Sequence, residues 1–252
     1  MNAVRAGAVL RLDFGRPERR NALDAPTIAA LRGALAVLEA DVRLVELTAR
    51  GPTWCAGADL LTLANDPAAR QAATHDFADL LADLVECPVP VLAVVEGAVL
   101  GGGVGLLAAA DLVVMGASAS VCLPEAGIGL WPMMVGALLG RVVSPRLAME
   151  LALTGRRLSA EDCARVGLAN ACGEAAEAVA ALLRDAILRR APAAVRAGRA
   201  AWRAHADLEP LGLRERLHAL ADALGALAEA PEAAEGITAL FQKRLPSWAS
   251  PR

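Results

Sequence analysis

Two glycine-rich turns are the segments of this 252-residue sequence whose residue types are best suited to chemistry. One is WCAGADL at 54–60 and the other is GGGVG at 101–105. Each follows an apolar segment typical of a buried strand, and each would leave free backbone N–H groups near a helix start. The first turn of a helix has unpaired N–H donors and partial positive charge, so it can hold an anion without a charged side chain. Side by side, the two turns would form a two-donor pocket for an oxygen that becomes an enolate or oxyanion.

The same glycines have two other interpretations. In one interpretation they are present only because strand and helix must pack closely. Residues 103–108 also have the GxGxxA spacing of dinucleotide-binding turns, which requires the first strand of the fold and an acidic residue at the end of the next strand. Here the spacing lies in mid-chain, and the following strand ends in VVMG at 113–116 without a carboxylate. The sequence therefore disfavours a nicotinamide-dependent oxidoreductase.

Alternating strand and helix patterns surround both turns and predict an α/β fold. Strands are predicted at 9–14, 42–48, 89–95 and 112–115, and helices at 74–87 and 103–110. A further helix is predicted after Asp24, which can cap it, with Pro26 just inside its start and leucines 31, 35 and 38 at helical spacing. The two glycine turns therefore lie between predicted strands and helices.

Helical periodicity dominates after about residue 132. Helices are predicted at 142–153, 175–191 and 213–228, and Ser159 is expected to cap a short one. We accordingly predict a core over residues 1–190 and a helical region over residues 191–252.

Composition excludes several classes of protein. A net charge of −3 and a pI near 5.7 leave no basic surface for nucleic acid. Five scattered cysteines without a CxxC pair fit a reducing cytoplasm. The N-terminal segment contains Asp13 where a signal peptide would be apolar, and the apolar segment 88–115 is interrupted by Glu96, Asp111 and several glycines. We therefore expect a cytoplasmic protein with no membrane span and no nucleic-acid partner.

Five segments resemble motifs of the crotonase (enoyl-CoA hydratase/isomerase) family, in that family's order and spacing. They are RNAL at 20–23, CAGADL at 55–60, PVPVLAVVEGAVLGGG at 88–103, LPEAGIGLWP at 123–132 and FQKRLPSW at 241–248. The resemblance implies a spiral of repeated ββα units, a C-terminal helical trimerisation region, and a homotrimer or homohexamer. It also implies an acyl-CoA substrate, in which coenzyme A is part of the substrate, with no separate cofactor and no metal.

The resemblance also implies roles for individual residues. The backbone N–H groups of Ala58 and Gly102 would be the oxyanion donors. The other positions implied in substrate binding are Arg20, Ala22, Ala56, Asp59, Leu60 and Leu61. Arg20 would meet a phosphate of coenzyme A, although a solvated surface arginine is an equally good interpretation. Trp131, Met133 and Met134 are expected in the core or along an acyl tunnel.

The carboxylates limit which reaction the resemblance supports. Glu125 falls where the family keeps its second catalytic glutamate, but the position of the first is Gly105. Hydration ordinarily divides the activation of water and the protonation of the α-carbon between two carboxylates, and glycine can do neither. A single carboxylate can instead move a proton between C2 and C4. A site without the first glutamate would also leave a cavity for decarboxylation or hydrolysis.

Two other residues are weaker candidates for the site. Glu96 could approach the pocket, but a carboxylate at a strand end more often faces solvent or an arginine. Cys55 borders the first glycine turn, yet no nearby histidine marks it as a nucleophile.

The expected function is that of an acyl-CoA enzyme of the hydratase/isomerase type, with isomerisation or another single-acid reaction at least as well supported as hydration. The alternative is a catalytically reduced acyl-CoA-binding or scaffold subunit. Turnover of enoyl-CoA substrates would separate the two.

Overall fold

The computed structural model describes residues 1–59, 67–207 and 231–249, and within these ranges it does not describe the side chains of 67–71, 205–207 and 240–241. The chain divides into two compact units. The first contains residues 1–87 and 91–181, and the second contains residues 88–90 and 182–252. Both glycine turns lie in the first unit.

The strands form two sheets. The larger has the order β1-β2-β3-β5-β7-β10 and the smaller the order β4-β6-β8-β9. The strands are β1 (Asn2–Ala6), β2 (Val9–Asp13), β3 (Leu44–Thr48), β4 (Thr53–Cys55), β5 (Val91–Val95), β6 (Ala98–Leu100), β7 (Leu112–Gly116), β8 (Ser120–Cys122), β9 (Leu158–Ser159) and β10 (Ala171–Gly173). Pairing is parallel except at β1 with β2 and at β8 with β9.

The described residues contain nine α-helices. They are α1 (Ala25–Ala36), α2 (Pro67–Glu86), α3 (Gly102–Ala109), α4 (Met133–Val142), α5 (Pro145–Thr154), α6 (Ala160–Arg165), α7 (Ala176–Leu188), α8 (Pro192–Asp207) and α9 (Pro231–Phe241). Three successive repeats each contain one strand of the larger sheet, one strand of the smaller sheet and then a helix. They are β3-β4-α2, β5-β6-α3 and β7-β8-α4. The predicted α/β fold and the spiral of ββα units are both confirmed.

Much of the core comes from the central parallel strands, which are apolar on both faces. All five residues of β5 are buried. Trp54 on β4 is fully buried, and its indole Nε1 donates a hydrogen bond to the carbonyl of Val94 at 2.7 Å. The ring of Phe14 meets the Trp54 ring edge to face at 5.0 Å between centroids. The hydrogen bond from Trp54 to Val94 connects β4 to β5, immediately before the first glycine turn.

Helix boundaries follow local capping signals. Asp24 caps α1 as predicted, because its carboxylate accepts a hydrogen bond from the Thr27 amide at 3.0 Å. The helix ends at Ala36, two residues before the predicted end at Leu38. The helix predicted at 142–153 corresponds to α5 and begins three residues later than predicted, because Ser144 caps it and Pro145 is its first residue. The separate helix α4, which ends at Val142, was not predicted.

The second unit is helical where the structure describes it. Glu232 on α9 accepts a hydrogen bond from the Ala193 amide of α8 at 2.8 Å. Glu235 pairs with Arg244 at 2.7 Å and accepts the Ser247 amide at 2.9 Å, which lowers its pKa to about 2. The helix predicted at 213–228 lies outside the described residues. No helix in the described ranges is both long and apolar enough to cross a membrane.

Candidate active site

The first glycine turn is held in place by the loop at residues 20–24. The Leu23 amide donates to the carbonyl of Gly57 at 2.8 Å, and the Leu23 carbonyl accepts from the Asp59 amide at 3.3 Å. Leu23 and Ala58 thus form a parallel β-bridge. In such a bridge one residue bonds to the two neighbours of its partner, so the backbone N–H of the partner itself points to the other side. The Ala58 N–H is therefore turned away from the loop.

Gly57 brings the two turns into contact. Its φ is +84°, and a Cβ at this position would lie 2.8 Å from the carbonyl oxygen of Leu100 and 3.0 Å from the amide nitrogen of Gly102. Only glycine tolerates this backbone conformation together with such a close approach. The CAGADL turn can lie directly against the GGG turn because residue 57 has no side chain.

The second turn presents the amide of Gly102 at the start of α3. Gly101 has a φ of +51°, and its amide donates to the carbonyl of Cys122 at 3.0 Å. Gly102 is the first residue of the helix, where an amide has no partner within the helix. A Cβ on Gly102 would lie 3.6 Å from the nitrogen of Ala58. The geometry therefore provides two neighbouring N–H donors, with the positive end of α3 behind one of them.

Glu125 lies beside this pair of donors. It opens the short 3₁₀ helix Glu125–Ile128, and its Oε1 is 2.9 Å from the position that a Cβ on Gly101 would occupy. Its Oε2 is buried and has no hydrogen-bond partner among the described residues. Burial raises the pKa of Glu125, and a backbone hydrogen bond opposes that rise only in part. This carboxyl group is suited to accepting and returning a proton.

The donors and the carboxyl group share one cavity of about 500 Å³. Its walls are mainly apolar, from Ile28, Phe77, Ile128, Leu130, Trp131, Met133, Met134 and Val135. A second carboxylate, Asp24, also lines the cavity, but it accepts from Thr27 Oγ1 at 2.6 Å and pairs with Arg16 at 2.7 Å. Burial alone would raise the pKa of Asp24, and these partners lower it overall. Glu125 thus has the only buried carboxylate oxygen without a partner in the described chain.

The position that the resemblance assigns to a second glutamate is closed by apolar side chains. Gly105 is buried on α3, and a Cβ there would lie 3.3 Å from each of three atoms: Phe77 Cζ, Leu81 Cδ2 and Val135 Cγ2. A glutamate would be forced against all three without a hydrogen-bond partner at that point.

The structure brings together most of the sequence-predicted site residues. Ala56, Ala58, Asp59, Gly102 and Glu125 all line the cavity. Two others, Arg20 and Ala22, do not line it: Arg20 is exposed, and its carbonyl accepts the Ala56 amide at 3.1 Å. Leu60 and Leu61 lie outside the described residues.

The weaker candidates have structural roles. Glu96 does not line the cavity, because its Oε1 accepts from the amides of Ala176 at 2.5 Å and Glu177 at 3.4 Å and so caps α7. Cys55 is fully buried, and burial raises the pKa of its thiol to about 12. Its sulfur accepts from the Gly57 amide at 3.4 Å. A thiol with such a pKa is a poor nucleophile near neutral pH.

Sequence reasoning missed Phe77 as a cavity residue. Its spacing to Leu81 and Leu84 predicts one buried face of a helix, and that face is indeed buried. The pattern could not show that the same ring also faces Gly102 and Gly105, because α2 and α3 meet only in the folded chain.

Glu125 should make stability depend on pH. Its raised pKa means that the folded state favours the protonated carboxyl. This contribution is fully present below the ordinary pKa of glutamate and is lost as the pH rises through the raised value. Glutamine cannot ionise, so the Tm of Glu125→Gln should rise relative to wild type across that window. Thermal unfolding at a series of pH values measures this, and a pH-independent difference in Tm would contradict it.

Solved structures share this fold over nearly the whole chain. The enoyl-CoA hydratase of Bacillus anthracis superimposes with a TM-score of 0.92 at 27% identity, covering 99% of both chains. The enoyl-CoA hydratase of Mycobacterium smegmatis gives 0.91 at 28% identity, covering 99% of this chain and 98% of that one. The α/β spiral is therefore that of a crotonase-fold protein.

Sequence relatives identify the family. A protein of Thermus thermophilus provisionally named an enoyl-CoA hydratase is 36% identical over 259 aligned residues, covering 98% of this chain and 100% of the relative. The carnitinyl-CoA dehydratase of Proteus mirabilis is 32% identical over 250, covering 96% and 95%. The sequence model of the enoyl-CoA hydratase/isomerase family matches residues 5–251. This chain belongs to the enoyl-CoA hydratase/isomerase family.

Proposed function

We propose that this protein is an enzyme that converts an acyl-CoA thioester through an enolate, with Glu125 as its single acid and base. The observation that carries this proposal is the meeting of two backbone donors, Ala58 and Gly102, with an unpartnered carboxyl group in one apolar cavity. The family membership supports the substrate class.

In the proposed mechanism the thioester oxygen accepts hydrogen bonds from the Ala58 and Gly102 amides. These donors stabilise the negative charge that reaches the oxygen when a C–H bond at C2 or C4 of the acyl group breaks. The Glu125 carboxylate takes that proton and becomes a neutral acid. A proton taken from C2 is returned to C4, or one taken from C4 is returned to C2, so the double bond moves and no other reactant is consumed.

We infer that a single-acid reaction, such as double-bond isomerisation, is favoured over hydration. Hydration needs a second polar group to activate water, and Gly105 lies where the resemblance would place that group. Leu81 and Val135 close this part of the wall together with Phe77. The relatives are named for hydratase and dehydratase activities, so the reaction outcome has to be measured on this chain.

The acyl group is proposed to be neutral and largely apolar. A cationic acyl group, such as one with a quaternary ammonium, would need an uncompensated anion or an aromatic cage. The Asp24 carboxylate accepts hydrogen bonds from Thr27 and forms an ion pair with Arg16. Glu125 and Asp59 lie at the glycine turns, and most of the remaining described wall is hydrocarbon.

Coenzyme A is proposed to enter as part of the substrate, with no separate cofactor. Arg20 and Ala22 lie outside the cavity wall on the loop that holds the first glycine turn, so we assign them to the coenzyme A portion. An exposed guanidinium in that place can pair with a phosphate. A cytoplasmic location fits five free cysteines, four of them buried.

Hydrogen exchange tests the proposed function. A 3-enoyl-CoA incubated with the protein in D₂O should gain deuterium at C2 or C4 and appear as the 2-enoyl isomer, as measured by mass spectrometry and ultraviolet absorbance. Thermal stabilisation by acyl-CoA without any exchange would favour the acyl-CoA-binding or scaffold subunit instead.

A homotrimer or homohexamer is expected in solution. Large apolar side chains of the second unit are exposed in the single chain, with Trp202 at 76%, Leu182 at 72% and Ile237 at 57%. Burial of such surface between subunits is favourable by roughly 25 cal/mol per Å². Multi-angle light scattering should return three or six times the mass of the chain, and Trp202→Asp should shift it towards smaller species. A stable wild-type monomer would contradict this.

A further inference from the structure

We infer that Phe77 is a specificity-determining residue, whose ring keeps water from the acyl chain and so directs the reaction to proton relocation rather than hydration. This inference rests on the proposed function. It concerns what happens after the enolate forms, so it can fail while the enolate chemistry stands.

The ring of Phe77 spans the first turn of α3. Its Cζ atom is 3.3 Å from the position of a Cβ on Gly102 and 3.3 Å from that of a Cβ on Gly105. Phe77 lines the cavity, and its exposed fraction is only 8%, so the ring is fixed by packing against its neighbours. One ring edge therefore covers both the start of α3 and the residue three positions further on.

On the side of Gly105 the ring is surrounded by apolar side chains. Leu81 Cδ2 and Val135 Cγ2 complete the contact at Gly105, and both side chains are almost fully buried. A buried water molecule requires two to four polar partners. The three atoms nearest to a Cβ at Gly105 all belong to hydrocarbon groups, while the Ala58 and Gly102 amides and the Glu125 carboxyl lie at the glycine turns.

The two outcomes differ in the atoms that the product gains. Hydration adds a hydrogen to C2 and the oxygen of water to C3, and water loses a proton to a base as it adds. Isomerisation takes a proton from one carbon and returns it to another, so no oxygen enters. Oxygen-18 that enters the product from labelled water therefore reports hydration, and deuterium that enters at C2 or C4 from D₂O reports enolate formation.

The test compares these two labels in wild type and in variants at the wall. Wild type should incorporate deuterium with little oxygen-18. Phe77→Ala should raise the ratio of oxygen-18 to deuterium by about tenfold, because it opens room for water. Adding Gly105→Glu to Phe77→Ala should raise the ratio on the order of a hundredfold, the usual scale of a positioned base. Phe77→Leu, which keeps an apolar side chain and preserves the fold more readily, should give a smaller rise.

Leu84→Ala is the matched control. Leu84 lies seven residues further along α2, its exposed fraction is 1%, and it does not line the cavity. It should lower Tm and leave the label ratio unchanged. An unchanged ratio in all Phe77 variants, with deuterium still entering, would overturn the role of Phe77 and leave the enolate mechanism intact. Absence of both double-bond movement and deuterium from every thioester in wild type would instead remove the proposed function and this inference together.

Discussion

Glu125→Gln lowers the rate of deuterium exchange and of double-bond movement by roughly a hundred- to ten-thousand-fold, equivalent to about 3 to 5 kcal/mol of activation free energy. The amide of glutamine has nearly the shape of the carboxyl group but cannot accept and return a proton. The buried Oε2 of Glu125 has no hydrogen-bond partner among the described residues, so the substitution breaks no contact of the described fold. The loss should appear in kcat, with binding of acyl-CoA retained.

Glu96→Gln is the control for this loss. Glu96 caps α7 and does not line the cavity. Removal of its charge from the helix N-terminus should reduce stability by up to about 1 kcal/mol and leave turnover unchanged. A Glu125→Gln enzyme with the wild-type rate would show that another residue moves the proton. Loss of turnover in Glu96→Gln would point to Glu96 first.

Gly102→Ala lowers kcat by at least about a hundredfold, the scale on which one oxyanion donor contributes. The new methyl group would lie 3.6 Å from the Ala58 nitrogen and 3.3 Å from Phe77 Cζ, where the thioester oxygen must approach. The backbone φ of Gly102 is not in the left-handed region, so alanine is compatible with its conformation. Gly102→Val, with more bulk at the same point, should reduce turnover further.

Gly136→Ala separates obstruction of the site from a general effect of replacing glycine in a helix. Gly136 lies on α4, and a Cβ there would meet nothing within 4 Å. Alanine at this position should stabilise the protein by about 0.4–1 kcal/mol and leave kcat unchanged. If Gly102→Ala and Gly102→Val both turned over acyl-CoA normally, the assignment of the Ala58 and Gly102 amides as oxyanion donors would be wrong.

The sequence alone determined the features that depend on neighbouring residues. The α/β alternation was visible because long apolar strands and amphipathic helices have distinct periods. The cap at Asp24 was correct because a capping carboxylate bonds an amide only three residues away. The family motifs also predicted the fold class correctly, and the match over residues 5–251 confirms the family.

Other features were decided only by the tertiary structure. Strands β4, β6 and β8 have three residues each, too few to show a period, and they form a sheet only by pairing with one another. The role of Glu96 likewise depends on distant partners, since Glu96 bonds to amides 80 and 81 residues away. A sequence gives the types of these groups but not their neighbours.

The candidate site was likewise determined partly by the sequence and partly by the tertiary structure. Its glycine turns and Glu125 could be named from the sequence because each lies within a short motif. The contact of Gly57 with Gly102, and the enclosure of Gly105 by Phe77 and Val135, join segments that are 28 to 45 residues apart in the chain. Such contacts form only when the strands and helices pack, so local patterns do not contain them. Packing, and not the motifs alone, leaves one unpartnered carboxyl group against an apolar wall.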